Sequence, residues 1–114
     1  MTLSLEELQK HIEARKTADP DQSYVGQLHA KGLNKILEKV GEESVELILA
    51  SRDYQAKREQ DTKSALIGEA ADLWFHTLVL LSHLDLSQYD IMQELEQRFG
   101  RSGLEEKASR KGRS

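Results

Sequence analysis

From Leu33 to Ser51, and again from Ala65 to Leu84, apolar residues recur at spacings of three and four, and the only proline of the chain, Pro20, lies outside both stretches. A repeat near 3.6 residues places Leu33, Ile36, Val40 and Leu47 on one stripe of a helix. Leu66, Leu73, Leu80, Leu81 and Leu84 do the same on a second. Leu, Glu, Lys, Gln and Ala, all good helix formers, are abundant throughout. The pattern predicts an all-α fold of about five helices, and 114 residues are enough for a single domain with one core.

The boundaries follow from caps and breakers. Ser4 with Glu7 forms a capping box, so the first helix begins near Leu5 and is expected to end near Thr17, before the turn at Ala18-Asp19-Pro20-Asp21. Ser23 caps a short helix through Lys31, which Gly32 breaks. The long third helix is expected from Leu33 to about Ser51. Arg52 to Asp61, polar and aperiodic, reads either as a helical extension or as a loop. Asp61 or Thr62 would cap a fourth helix to about Leu84, and Ser87 a fifth that buries Ile91, Met92, Leu95 and Phe99 and stops at Gly100. Residues 100–114, with Arg101, Lys107, Arg110, Lys111 and Arg113, form a basic tail that either folds over an anionic ligand or stays solvated. Trp74, Phe75, Leu78 and Val79, added to Val45 and Leu49, give more apolar circumference than one small chain can cover, which predicts a helical bundle completed by homodimerisation.

Composition excludes several functions. Without cysteine there is no disulfide, thiolate nucleophile or zinc ribbon, which favours a cytoplasmic setting. Neither a signal sequence nor an apolar run long enough for a bilayer is expected, so no membrane partner. A net charge of −4 disfavours general nucleic-acid binding.

The chemistry concentrates in Lys39-Val-Gly-Glu-Glu-Ser-Val-Glu46, where Glu43 falls inside the apolar stripe and Glu46 follows one turn later. On the other long helix Glu69 and Asp72 stand at the same spacing, flanked by His76 and His83. An unpaired buried carboxylate costs several kcal/mol, and like charges raise one another's proton affinity, so four together point to a divalent cation held between two helices. Oxygen ligands alone favour Mg²⁺, with Mn²⁺ as its substitute, over zinc or copper. Such an ion serves phosphoanhydride chemistry, with Glu42 or Glu46 orienting or deprotonating a water and Lys35, Lys39 and the basic tail taking up phosphate charge. The plain alternatives are solvated charged pairs on helix surfaces and, for His76 and His83, structural roles. A di-iron bundle would need Glu-x-x-His, and no glutamate has a histidine three residues on. A helical dimerisation module would leave Glu43 unexplained. Gly41 and Gly68, each costing about 1 kcal/mol in a helix interior, fit a close helix approach as well as function.

The spacing Glu43-x-x-Glu46, 22 intervening residues, Glu69-x-x-Asp72 resembles the signature of the all-α, MazG-like nucleoside-triphosphate pyrophosphatases. The fuller text from Ser23 to Glu43, together with Ser102-Gly-Leu-Glu-Glu-Lys-Ala-Ser-Arg110, resembles one branch, the phosphoribosyl-ATP pyrophosphatases of histidine biosynthesis. Val25 and Ser44 depart from the threonine and alanine usual in that branch. The resemblance implies hydrolysis of phosphoribosyl-ATP to phosphoribosyl-AMP and pyrophosphate by a cytoplasmic, Mg²⁺-dependent helical dimer. By position it implies Glu43, Glu46, Glu69 and Asp72 as metal ligands and Lys39, Lys107 and Arg110 as phosphate contacts. A house-cleaning pyrophosphatase of broader specificity is the nearest alternative.

Overall fold

A computed structural model describes residues 2–100, which form five α-helices without strands. They are α1 (Leu5–Ala14), α2 (Tyr24–Lys31), α3 (Leu33–Ala56), α4 (Gln60–His83) and α5 (Gln88–Phe99). The two 24-residue helices α3 and α4, joined by three residues, run antiparallel and make the most extensive packing of the chain. At 1.5 Å per residue each is about 36 Å long.

The caps act largely as the sequence reads. Ser4 Oγ accepts from the Glu7 N–H at 3.1 Å, Ser23 Oγ from the Gly26 N–H at 3.1 Å, and Ser87 Oγ from the Tyr89 N–H at 3.2 Å. Three boundaries differ from expectation. The first helix stops at Ala14 rather than near Thr17, because Lys16 leaves the helical path to donate to the Ser82 carbonyl at 2.6 Å and to Asp85 at 2.9 Å. The third helix runs five residues beyond Ser51, since nothing through Ala56 breaks it, and the polar stretch is mostly helix. The fourth is capped by Glu59, not by Asp61 or Thr62. Thr62 contributes from the third helical position, its Oγ1 accepting from the Glu59 N–H at 3.1 Å and donating to the Lys57 carbonyl at 2.6 Å.

The core lies at one end of the bundle, where Ile12, Val25, Leu28, Ile36, Leu78 and Val79 meet, with Ile36 and Val79 wholly buried. Gly26 permits this closure. A Cβ there would lie 2.3 Å from the Ala18 carbonyl oxygen, so only glycine lets the preceding loop rest on α2. Gly32, at φ +97°, turns the chain from α2 into α3. Buried Gln9 ties three helices together, donating to the Leu78 carbonyl at 3.2 Å and accepting from the Gln88 N–H at 2.9 Å.

Toward the other end the hairpin leaves Val45, Ile48, Leu49 and Ile67 more than half exposed. The fifth helix does not bury the face expected of it. No residue of α5 is fully buried, Phe99 is exposed, and Ile91, Met92 and Leu95 line an open groove with Leu5, Leu73 and Trp74. By length and composition α4 is apolar enough to cross a bilayer, which corrects the expectation that no such run exists. Its middle nevertheless carries Glu69 and Asp72, charges that are expensive in hydrocarbon, and its C-terminal half supplies the core.

Candidate active site

Antiparallel packing of α3 on α4 brings Glu43 of one helix against Glu69 and Asp72 of the other. One carboxylate oxygen of each lies within 4.8 Å of the other two. Glu43 is buried at 7% exposure, Glu69 is half-buried and Asp72 lies at the opening. Glu43 Oε2 and Glu69 Oε2 are both shielded from solvent and have no hydrogen-bond partner. Two charged oxygens so placed repel each other and lack hydration, an arrangement that lowers its free energy by taking up protons or a cation.

The proton affinities reflect this. Burial pushes the Glu43 carboxyl above its ordinary value, and the charges of Glu46 and Asp72 push it further, against an opposing pull from His76. Glu69 is pushed up to about 7, first by a shared-proton contact with Glu46, then by burial and by the charges of Glu46 and Glu43. Glu46 itself is exposed and lies outside the group of three, yet is near enough to raise the proton affinities of Glu43 and Glu69.

The remaining residues singled out in the sequence stand around this cluster. Glu42 points to solvent and is engaged by Lys39 Nζ at 3.2 Å, a contact that, with the nearby charges of Glu42, Tyr24 and Glu43, raises the lysine's proton affinity against a smaller effect of burial. Lys35, about one turn earlier, pairs with Glu38 at 3.5 Å. Lys107 and Arg110 lie outside the described residues. Nothing stands within 4 Å of a Cβ built on Gly41 or Gly68, so neither marks a close helix contact among the described residues.

Two arrangements escaped the sequence reading. His76, buried, donates from Nδ1 to the Asp72 carbonyl at 2.8 Å, which leaves Nε2 as acceptor for the Tyr24 hydroxyl at 2.8 Å. Tyr24 thereby links α2 to the turn of α4 that bears Asp72. The histidine's position one turn after Asp72 was visible, but its partner 52 residues away was not. His29 pairs with His83 through their Nδ1 atoms at 2.9 Å, with the rings stacked 5.1 Å apart.

An all-helical chain whose central hairpin gathers carboxylates from both arms is consistent with the class of all-α, MazG-like pyrophosphatases. The family model described as phosphoribosyl-ATP pyrophosphohydrolase matches residues 5–99. A protein of Burkholderia cenocepacia (strain HI2424) named phosphoribosyl-ATP pyrophosphatase is 56% identical over 102 residues, which cover 90% of this chain and 82% of that one. Proteins of the same name from Burkholderia ambifaria (strain MC40-6) and Burkholderia lata are each 55% identical over 102 residues, with the same coverage. The chain belongs to the phosphoribosyl-ATP pyrophosphohydrolase family.

Proposed function

We propose that this chain hydrolyses phosphoribosyl-ATP to phosphoribosyl-AMP and pyrophosphate, in histidine biosynthesis, at the carboxylate cluster of α3 and α4. Family membership supports the reaction. The observation that carries the site is the pair of buried, unpartnered oxygens on Glu43 and Glu69, converging with Asp72 within 4.8 Å. An all-oxygen donor set of this kind fits Mg²⁺, with Mn²⁺ as a substitute, and Glu43, Glu46, Glu69 and Asp72 are the residues that would hold it. When bound, the ion supplies positive charge to the polyphosphate and to the leaving pyrophosphate.

The chain's own side chains do the rest. Glu46, exposed beside the cluster, accepts a proton from the attacking water as oxygen bonds to phosphorus and the phosphoanhydride bond breaks; Glu42, tethered to Lys39, is the other candidate for orienting that water. Lys39 and Lys35 stand on the same helix to receive phosphate oxygens, and Lys107 and Arg110 of the basic tail add further cations. His76, fixed by Tyr24, holds the Asp72 turn in place.

The exposed apolar band of Val45, Ile48, Leu49 and Ile67 supports a homodimer, because contiguous apolar surface of this kind marks an interface. In this reading residues 1–114 are a single all-α pyrophosphohydrolase domain with residues 100–114 as its basic tail. It works in the cytoplasm without nucleic-acid or membrane partners.

The test is pyrophosphate release from phosphoribosyl-ATP with and without Mg²⁺, beside simple nucleoside triphosphates. Mg²⁺-dependent release from phosphoribosyl-ATP that Glu43→Gln abolishes is expected. Equal turnover of simple triphosphates would favour a broader pyrophosphatase, and retained activity in Glu43→Gln would refute the site.

A further inference from the structure

A second cavity, of about 360 Å³, opens between α1, the loop before α2, and α4. Its polar lining comes from His11, Arg15, Gln22 and Ser23, and its aromatic wall from Tyr24 and Phe75, whose rings stack 6.1 Å apart at 20°. No carboxylate lines it, although Asp and Glu number 20 against 16 Lys and Arg in the whole chain. Arg15 Nη1 donates to the His11 carbonyl at 3.1 Å and lies 3.5 Å from His11 Nδ1. The guanidinium makes no ion pair among the described residues, so its other N–H groups are available to a ligand.

The loop that shapes this cavity is held before any ligand arrives. The Asp19 carbonyl accepts from the Gln22 and Ser23 N–H groups at 2.9 and 3.0 Å, and the Asp19 carboxylate from the Asp21 N–H at 3.0 Å. Ala18 is seated against Gly26. Tyr24 is common to the cavity and the active site: its ring lines the one, and its hydroxyl binds His76, which in turn binds the Asp72 carbonyl. The two sites are bridged by two side chains, Tyr24 and His76, and are opposite in charge. The acidic cluster accepts a polyphosphate only with a dication, whereas the arginine cavity accepts a phosphate without one. Its volume lies at the lower end of the roughly 300–1,000 Å³ of small-molecule sites, suited to a sugar phosphate rather than a whole nucleotide.

We infer that this cavity binds the phosphorylated ribose that distinguishes phosphoribosyl-ATP from ATP, with Arg15 holding its phosphate. The inference rests on the reaction proposed above and adds where its specificity resides. Arg15 is a binding residue, remote from the bond that breaks.

Arg15→Ala and Arg15→Lys would be compared with the parent for KM and kcat on phosphoribosyl-ATP, for competitive inhibition by ATP, for Mg²⁺ binding, and for direct binding of ribose 5-phosphate by calorimetry. Loss of a charge-assisted hydrogen-bonding group predicts a KM for phosphoribosyl-ATP higher by about 10- to 100-fold in Arg15→Ala. The ATP inhibition constant and Mg²⁺ binding stay unchanged, ribose 5-phosphate binding is lost, and Arg15→Lys recovers part of it. If the parent turns over phosphoribosyl-ATP while Arg15→Ala keeps its KM within about twofold, the inference falls and the reaction stands. If the parent fails on phosphoribosyl-ATP, both fall. Equal weakening of ATP inhibition, or loss of Mg²⁺ binding, would overturn it as well, by showing a general structural effect.

Discussion

Replacing Glu43 with glutamine should make the metal-free protein more stable while destroying its activity. Glu43 is 7% exposed and its Oε2 has no partner. An unsatisfied buried polar atom costs about 1–3 kcal/mol, and more when charged. Glutamine keeps the shape, carries no charge, and can donate its amide N–H to Glu46 or Glu69. With about 2 kcal/mol recovered and a urea dependence near 2 kcal/mol per M, the unfolding midpoint in chelator should rise by roughly 1 M. Mg²⁺ should then erase the difference. The parent gains stability by binding the ion, about 2.7 kcal/mol at a hundredfold excess over its dissociation constant, and the variant gains far less. The assay is urea denaturation of both proteins at one fixed protein concentration, in chelator and in saturating Mg²⁺, beside pyrophosphate release. A variant less stable than the parent in chelator would refute the reasoning, as would equal stabilisation of both by Mg²⁺.

Other expectations follow from the same geometry. Glu69 binds its proton more tightly folded, at about 7, than at the ordinary value of 4.5, so its contribution to stability is present below 4.5 and is lost as pH rises toward 7. Thermal melts in chelator should therefore show a decline over that window, and Glu69→Gln should flatten it; a slope unchanged by the substitution would contradict the cluster's electrostatics. Ile36→Ala, at a wholly buried position, should cost about 2–5 kcal/mol in chemical denaturation, whereas a loss under 1 kcal/mol would mean the core is not where it is described. Ile48→Glu should convert a dimer to a monomer in sedimentation velocity, and an unchanged dimer would place the interface elsewhere.

Much of this architecture was legible because helices advertise themselves locally. Ser4, Ser23 and Ser87 cap where their hydroxyls can meet N–H groups two or three residues on, and such short-range chemistry survives in a single sequence. Glu43 was legible for a related reason: a carboxylate in an apolar stripe contradicts its surroundings. What the sequence hid depends on distant pairing. Lys16 shortens α1 because Asp85 and the Ser82 carbonyl wait far along the chain. The Tyr24–His76 bond and the His29–His83 stack likewise join helices whose relative placement no local pattern encodes. The apolar face of α5 was read correctly as apolar and wrongly as buried, since periodicity says which side of a helix avoids water but not what covers it.

The placement of the core carries a consequence for biosynthesis. Ile12 and Val25 meet Leu78 and Val79, so a ribosome must deliver nearly the whole of α4 before any of these side chains finds its neighbours. Until then α1 and α2, of 10 and 8 residues, are too short to persist alone in water. Maturation of this polypeptide should thus wait on emergence of the C-terminal half of α4, whose Leu78 and Val79 close over Ile12 and Val25 while the apolar side chains farther along the hairpin stay open to water.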